Sequence, residues 1–276
     1  MGNNKKFWII IVILLVVALA LFAFRSKKIR MSPISQPTIQ QPSTPCTGGA
    51  CPSRILDLTN WKLTLPVRSA GKSSDPQEIS QSQLKDYEFL PWFKLTADQR
   101  GVQFRAPVNA PTTGNTNYAR SELREMTKGG TQEAFWPSTS GIHTLLLEEA
   151  ITAVPKSKPD VVAGQIHGDD DDLLVIRLEY PKLFIGRGKS NLLTLDEDYT
   201  LGKKFTVKFV AEDGKIMVYY NGSADPVYVL EKKVKMAYFK VGVYTQSNCE
   251  TEEDPYLCTD GNYGEVVVYR ADLSHR

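Results

Sequence analysis

The chain has 276 residues, 42% of them hydrophobic and 23% charged, with a formal net charge of +2. That length suits one large domain or two small ones with a sizeable core, and the composition excludes a collagen-like, wholly disordered or multi-span membrane protein. Near-balance of charge also excludes a strongly basic nucleic-acid binder, but it is an average: the first 56 residues carry seven basic side chains and no acid, whereas the other 220 hold 26 basic and 31 acidic ones, a net of −5.

Residues 7–24, FWIIIVILLVVALALFAF, form an unbroken apolar run with Lys5 and Lys6 before it and Arg25, Lys27, Lys28 and Arg30 after it. As a helix the run extends about 27 Å, close to a bilayer core. It reads as an uncleaved membrane anchor. The rival is a signal peptide cut near Ala18-Leu19-Ala20, although such apolar regions are usually shorter, about 7–15 residues. Both readings imply export. The excess of positive charge after the run points the other way, placing the downstream side in the cytoplasm. Residues 31–52 are rich in Pro, Ser, Thr and Gln, and Pro33, Pro37, Pro42, Pro45 and Pro52 interrupt any regular element. The expected organisation is therefore a tip and anchor at 1–30, an extended spacer at 31–54 and a folded domain at 55–276.

Four cysteines lie as two close pairs, Cys46/Cys51 and Cys249/Cys258. Neither pair has the two-residue gap of zinc or thioredoxin-type motifs, and His143, His167 and His275 are scattered, so no metal is expected. An even count in an exported chain favours disulfides. Pairing within each close pair is the simplest of three connectivities, and four free thiols are the alternative.

From Ile55 onward the pattern is short alternating runs: TLLLE at 144–148, LLVIRL at 173–178, TVKFV at 206–210, KIMVYY at 215–220 before an Asn221-Gly222 turn signal, and EVVVY at 265–269. Short helices are expected only at 80–84 and 96–99, and the segments 67–76 and 182–190 read as loops. Many short strands over about 220 residues predict an all-β sandwich or barrel, with a jelly roll as the natural candidate.

Three segments carry polar chemistry. In YARSELRE (118–125), alternation puts Arg120, Glu122 and Arg124 on one face and Ala119, Ser121 and Leu123 on the other. One guanidinium can neutralise the carboxylate and leave the second for an anion; a solvated row of surface ion pairs is the plainer reading. In GQIH (164–167), Gln165 and His167 share a face, placing an amide beside a possible base. The acids at 169–172 that follow lack the spacing of an EF-hand and read as a solvated loop. In YFKVGVYTQ (238–246), Tyr238, Lys240, Gly242, Tyr244 and Gln246 share the polar face, while Phe239, Val241 and Val243 face a core. Gly242 in mid-strand suggests that something approaches closely there. This inventory suits an anionic substrate. It does not suit a glycoside hydrolase, which uses two carboxylates across the scissile bond, because Glu122 and Glu125 point to opposite faces.

YARSELRE, GQIH and YFKVGVYTQ, in that order, closely resemble the three signature motifs of polysaccharide lyase family 7, the alginate lyases. LDLTNWKLTLP (56–66) and NYGEVVVY (262–269) resemble that family's opening and closing strands. The resemblance covers about 55–269 and implies a concanavalin A-like jelly roll of two curved antiparallel sheets with substrate on the concave face. It implies cleavage of 1,4-linked uronate chains by β-elimination; endolytic action is the expectation, with endo versus exo left open by the sequence. Arg120 and Gln165 neutralise the sugar carboxylate, His167 acts as base and Tyr244 as acid, or as both for mannuronate. Glu122, Arg124, Tyr238, Lys240 and Gln246 are the expected substrate contacts. No cofactor or metal enters this scheme, since Arg and Gln take the role that calcium has in some other lyases. Ile166 between Gln and His leans toward guluronate-containing chains. The expected partners are alginate and, through residues 7–24, a membrane; the expected state is an exported monomer. Two alternatives remain at this stage: a non-catalytic carbohydrate-binding jelly roll, and a lyase of the same fold acting on another uronan such as glucuronan. With a domain at −5, a polyanion must be drawn by a local cationic cleft rather than by net charge.

Overall fold

The computed structural model describes residues 46, 50–71, 75–114, 116–169 and 171–276. The expected membrane segment at 7–24 and most of the spacer lie outside the described residues. Among the described residues two antiparallel sheets are built from sixteen strands, numbered here in chain order. The first sheet holds β1 (Trp61–Arg68), β2 (Pro76–Ile79), β5 (Arg120–Thr127), β6 (Gln132–Glu133), β8 (Asp160–His167), β9 (Asp172–Glu179), β10 (Lys182–Arg187), β11 (Ser190–Asp196) and β15 (Tyr238–Thr245). The second holds β3 (Phe93–Leu95), β4 (Val102–Pro107), β7 (His143–Ala153), β12 (Phe205–Glu212), β13 (Lys215–Tyr220), β14 (Tyr228–Glu231) and β16 (Tyr263–His275). Their orders are β11-β10-β9-β8-β15-β5-β1-β2, with β6 on the end of β5, and β14-β13-β12-β7-β16-β4-β3. The last two strands thus enter the middles of different sheets. This is the all-β jelly-roll sandwich expected from the alternating runs.

Alternation explains which side chains meet between the sheets. In β12, Phe205, Val207, Phe209 and Ala211 are buried, and the residues between them are half-exposed. Leu63, Leu123, Ile166, Phe239, Val241 and Val243 of the first sheet meet Phe104, Leu145, Leu147, Val266 and Val268 of the second in one core. Phe93 and Phe104 contact edge to face at 5.1 Å. Each such fully buried side chain contributes roughly 1.5–3 kcal/mol. Disulfides join Cys46 to Cys51 and Cys249 to Cys258, and the second closes the loop between β15 and β16.

Three local expectations change. The helix near residue 80 is present as one turn, Gln81–Leu84, but 96–99 is a turn: the Thr96 hydroxyl donates to Asp98 Oδ1 at 2.6 Å, and the Gln99 N–H closes on Thr96 O at 2.9 Å. That local side-chain bond competes with helix formation. Residues 182–190 are β10 and its turn into β11, not a loop. Gly242 is required by the fold rather than by a ligand. Its φ is +129°, and a Cβ there would sit 2.5 Å from Ser121 O and 3.0 Å from Glu122 Cα of the neighbouring strand.

Among the described residues, Glu149 breaks the apolar pattern of the core without a compensating partner. Glu149 of β7 is fully buried, and neither carboxyl oxygen has a hydrogen-bond partner among the described residues. It lies between the sheets, where a Cβ on Gly164 would be 3.8 Å from its Oε1. Burial pushes its pKa up from 4.5 to about 8. Between those values the folded protein keeps a proton that the unfolded chain has released, so stability falls as pH rises through this window and then levels off. Glu149→Gln removes that titration. Urea midpoints measured from pH 5 to 8 are expected to decline in the parent and to flatten in the variant, a difference on the order of a few kcal/mol at pH 8. An unchanged slope in the variant contradicts the assignment.

Candidate active site

The three polar segments, far apart in the chain, become neighbours in the order β8-β15-β5. Register aligns their chemistry. Lys240 of β15 is paired with Gln165 on one side and Arg124 on the other, Tyr238 with His167, Gly242 with Glu122, and Tyr244 with Arg120. A register shift between Val241 and Tyr244 marks an irregularity in the pairing of β15 with β8. The outer face of these strands floors a cleft of about 410 Å³, within the range of ligand sites. Arg120, Arg124, Gln165, His167, Tyr238, Lys240 and Tyr244 all line it.

Glu122 lies beneath that floor at 2% exposure rather than in the cleft wall. Glu122 is therefore not the substrate contact expected from the sequence but the partner of the residues that line the site. Arg120 Nη1 donates to its Oε2 at 2.8 Å and Lys240 Nζ to the same oxygen at 2.9 Å, while Gln165 Nε2 donates to Oε1. Burial pushes its carboxyl pKa up, but Lys240 and Arg120 outweigh burial and hold it below the usual range. The carboxylate also orients the Gln165 amide, since only the nitrogen side can face it. The second N–H of that amide is left for the cleft. Burial pushes Lys240 down to about 8, against the pull of Glu122 and with the help of Arg120.

His167 Nδ1 lies 3.0 Å from Gly168 O. A carbonyl only accepts, so Nδ1 carries the hydrogen and Nε2 keeps its lone pair. Burial lowers the imidazole pKa, and Lys240 adds to that effect. The ring stacks on Tyr238, with centroids 5.0 Å apart and planes 15° apart. The result is a neutral, oriented base. Across the floor, the Arg120 guanidinium lies over the Tyr244 ring at 4.1 Å, and the Tyr244 hydroxyl hydrogen-bonds to Thr116 Oγ1.

Two expected contacts sit differently. Arg124 is not the free cation beside a neutralised Glu122. It donates to the Glu125 carbonyl and, at 3.1 Å, to Ala134 O, and is held between Tyr238 at 4.1 Å and Phe135 at 4.8 Å. Gln246 does not line the cleft: β15 ends at Thr245, and the Gln246 amide donates to Thr245 O at 3.1 Å. Glu125 faces the core side, where its carboxylate accepts from Trp136 Nε1, the Phe239 N–H and His275 Nε2. The cleft is also not uniformly basic. Glu78 and Glu133 flank Lys62 at 3.0 and 3.2 Å, and Asp171 and Asp172 lie beyond β8. Positive charge is concentrated at the centre by placement rather than by excess. Thr64, Thr113, Thr116 and Phe135 complete the lining without having carried a signal in the sequence.

A jelly roll whose cleft joins cations, a neutral imidazole and a phenol is suited to an anionic ligand. The chain matches the family described as alginate lyase over residues 56–275. An alginate lyase of Klebsiella pneumoniae is 30% identical over 81% of this chain and 91% of its own length. The solved alginate lyase from Corynebacterium sp. is 43% identical with a TM-score of 0.76, covering 84% of this chain and 100% of that one. AlgAT5, a solved alginate lyase of polysaccharide lyase family 7, is 45% identical with a TM-score of 0.74, covering 82% of this chain and 99% of its own. This chain belongs to that family and is a polysaccharide lyase.

The central ammonium gives the site a pH signature. As pH rises through about 8, Lys240 loses its charge, and attraction for a polyanion weakens. KM for alginate is expected to rise roughly 3- to 10-fold between pH 7 and 9, and Lys240→Arg, charged throughout, to flatten that rise. An identical rise in the variant contradicts this role.

Proposed function

We propose that the chain cleaves alginate endolytically by β-elimination, with a lean to guluronate-containing blocks. Arg120 and the second N–H of Gln165 engage the carboxylate of the sugar to be deprotonated, spreading the charge that develops at C5. His167 Nε2 takes the C5 proton. The C4–O4 bond breaks, O4 receives the Tyr244 proton, and a C4–C5 double bond remains at the new non-reducing end. For mannuronate, where proton and leaving group lie on one side, Tyr244 serves both steps.

The observation that carries this reading is the pairing of a neutral, tautomer-fixed His167 with a Tyr244 phenol in one cleft, around the Arg120 guanidinium. A binding module has no need of a base with a free lone pair. Endolytic action is supported by a groove that runs across the sheet from Glu78 and Lys62 on one side to Asp171 on the other. The guluronate lean rests on Ile166, which is buried in the core and acts only through the flanking Gln165 and His167. Arg120, Gln165, His167, Lys240 and Tyr244 all come from adjacent strands of one chain, which supports action as a monomer. A polymeric substrate outside the cell supports export, with residues 7–24 as the anchor.

The test is ultraviolet absorbance of the conjugated product. Tyr244→Phe is expected to lower turnover at least about 1,000-fold while alginate binding persists, and the parent is expected to release a spread of oligomers from guluronate blocks early in the reaction. Normal turnover by Tyr244→Phe, or monomers as the first products, contradicts the respective part of the reading.

A further inference from the structure

We infer that Thr116 is a positioning residue for the proton-donating phenol: it donates a hydrogen bond to the Tyr244 oxygen and so turns the Tyr244 hydrogen into the cleft. This rests on the reading of Tyr244 as the acid.

An acid must aim its hydrogen at the leaving oxygen. A phenol has one hydrogen, so a Tyr244 that spent it on a protein acceptor would be poorly set to protonate O4. The Tyr244 hydroxyl bonds to Thr116 Oγ1, and geometry alone allows either oxygen to donate. The surroundings of Thr116 favour one direction. The Tyr118 N–H reaches the same Oγ1 at 3.1 Å, and a backbone N–H only donates. One of the two acceptor positions of Thr116 is therefore filled, and a hydroxyl that already accepts is the stronger donor, which favours pointing its hydrogen at Tyr244. The chain N–H to O–H to O–H then runs in one direction, each bond polarising the next. When Tyr244 gives up its proton, the Thr116 hydroxyl already points at the oxygen that gains negative charge.

The loop that carries Thr116 is anchored for this task. Ala119 O accepts from both the Thr245 N–H at 3.0 Å and the Thr245 hydroxyl at 2.8 Å, one residue beyond Tyr244. Asn117 O accepts from Asn248 Nδ2 at 3.1 Å, and Asn248 adjoins the disulfide-closed segment 249–258. Tyr118 also meets the Tyr244 ring edge-on at 6.2 Å. The threonine is thus held by the strand that carries the phenol and by the stapled loop that follows it.

Thr116→Val keeps the shape and removes the hydroxyl, whereas Thr116→Ser keeps the hydroxyl. With alginate as substrate, Thr116→Val is expected to lower kcat roughly 10- to 100-fold with KM changed less than about 2-fold, and Thr116→Ser to restore kcat to within about 3-fold of the parent. Thr116→Ala serves for the same comparison if the valine variant does not fold, as judged by its thermal midpoint. A parental kcat in Thr116→Val, or an equal loss in Thr116→Ser, overturns the inference; the latter would show that a hydroxyl at this position does not restore the function. Tyr244→Phe measured alongside separates the two levels. If it turns over normally, the acid assignment fails; if it is inactive while Thr116→Val is parental, only the role of Thr116 fails.

Discussion

Three donors from three adjacent strands converge on one buried carboxylate, and the site is organised around that meeting. Glu122 on β5 receives Arg120 from its own strand, Lys240 from β15 and Gln165 from β8. A carboxylate at 2% exposure is tolerated only if its lone pairs are filled. Removing a partner from such a pair typically costs about 3–5 kcal/mol, because a buried charge is left uncompensated. The same demand locks the rotamers of the three donors. Two cations against one anion leave one surplus positive charge at the centre of the floor, available to a sugar carboxylate.

The remainder of the site follows from how the strands share two faces. Inward residues such as Leu123, Ile166, Phe239 and Val241 seal the first sheet onto the second, so the outward residues are positioned by rigid elements rather than by mobile ones. Close approach at Gly242 brings β15 against β5 beside Glu122. Glu125, on the other face, ties the Phe239 backbone and the Trp136 indole under the same strands. Catalytic geometry is therefore a property of the sandwich, with the loop bearing Thr116 as its one departure. Since the domain is acidic overall, attraction for a polyanion is confined to this centre, and Glu78 and Glu133 at one end of the cleft are partly quenched by Lys62.

Period-two alternation made the faces legible before the fold was known. A strand's side-chain direction depends only on counting, so Arg120 and Glu122, Gln165 and His167, and Tyr238, Lys240 and Tyr244 fell on their observed sides. Counting does not reveal which strands adjoin. That β15 lies between β8 and β5, and that Lys240 therefore faces both Gln165 and Arg124, is a matter of long-range register. Counting also fails where a strand ends, which is why Gln246 leaves the face after Thr245. Arg124 looked free because its acceptor Ala134 O comes from a neighbouring segment that no local pattern predicts. Thr116 had no signal at all, being one threonine in a polar loop whose meaning comes from the phenol it meets.

The charge of Glu122 assembles the floor. Glu122→Gln keeps the shape of the side chain and removes that charge, so it separates geometry from electrostatics. The decisive measurement is kcat/KM for alginate together with the urea midpoint of this variant. Both are expected to fall, kcat/KM by about 100-fold or more and stability by about 3 kcal/mol. Parental values of both in Glu122→Gln would contradict this role of the charge.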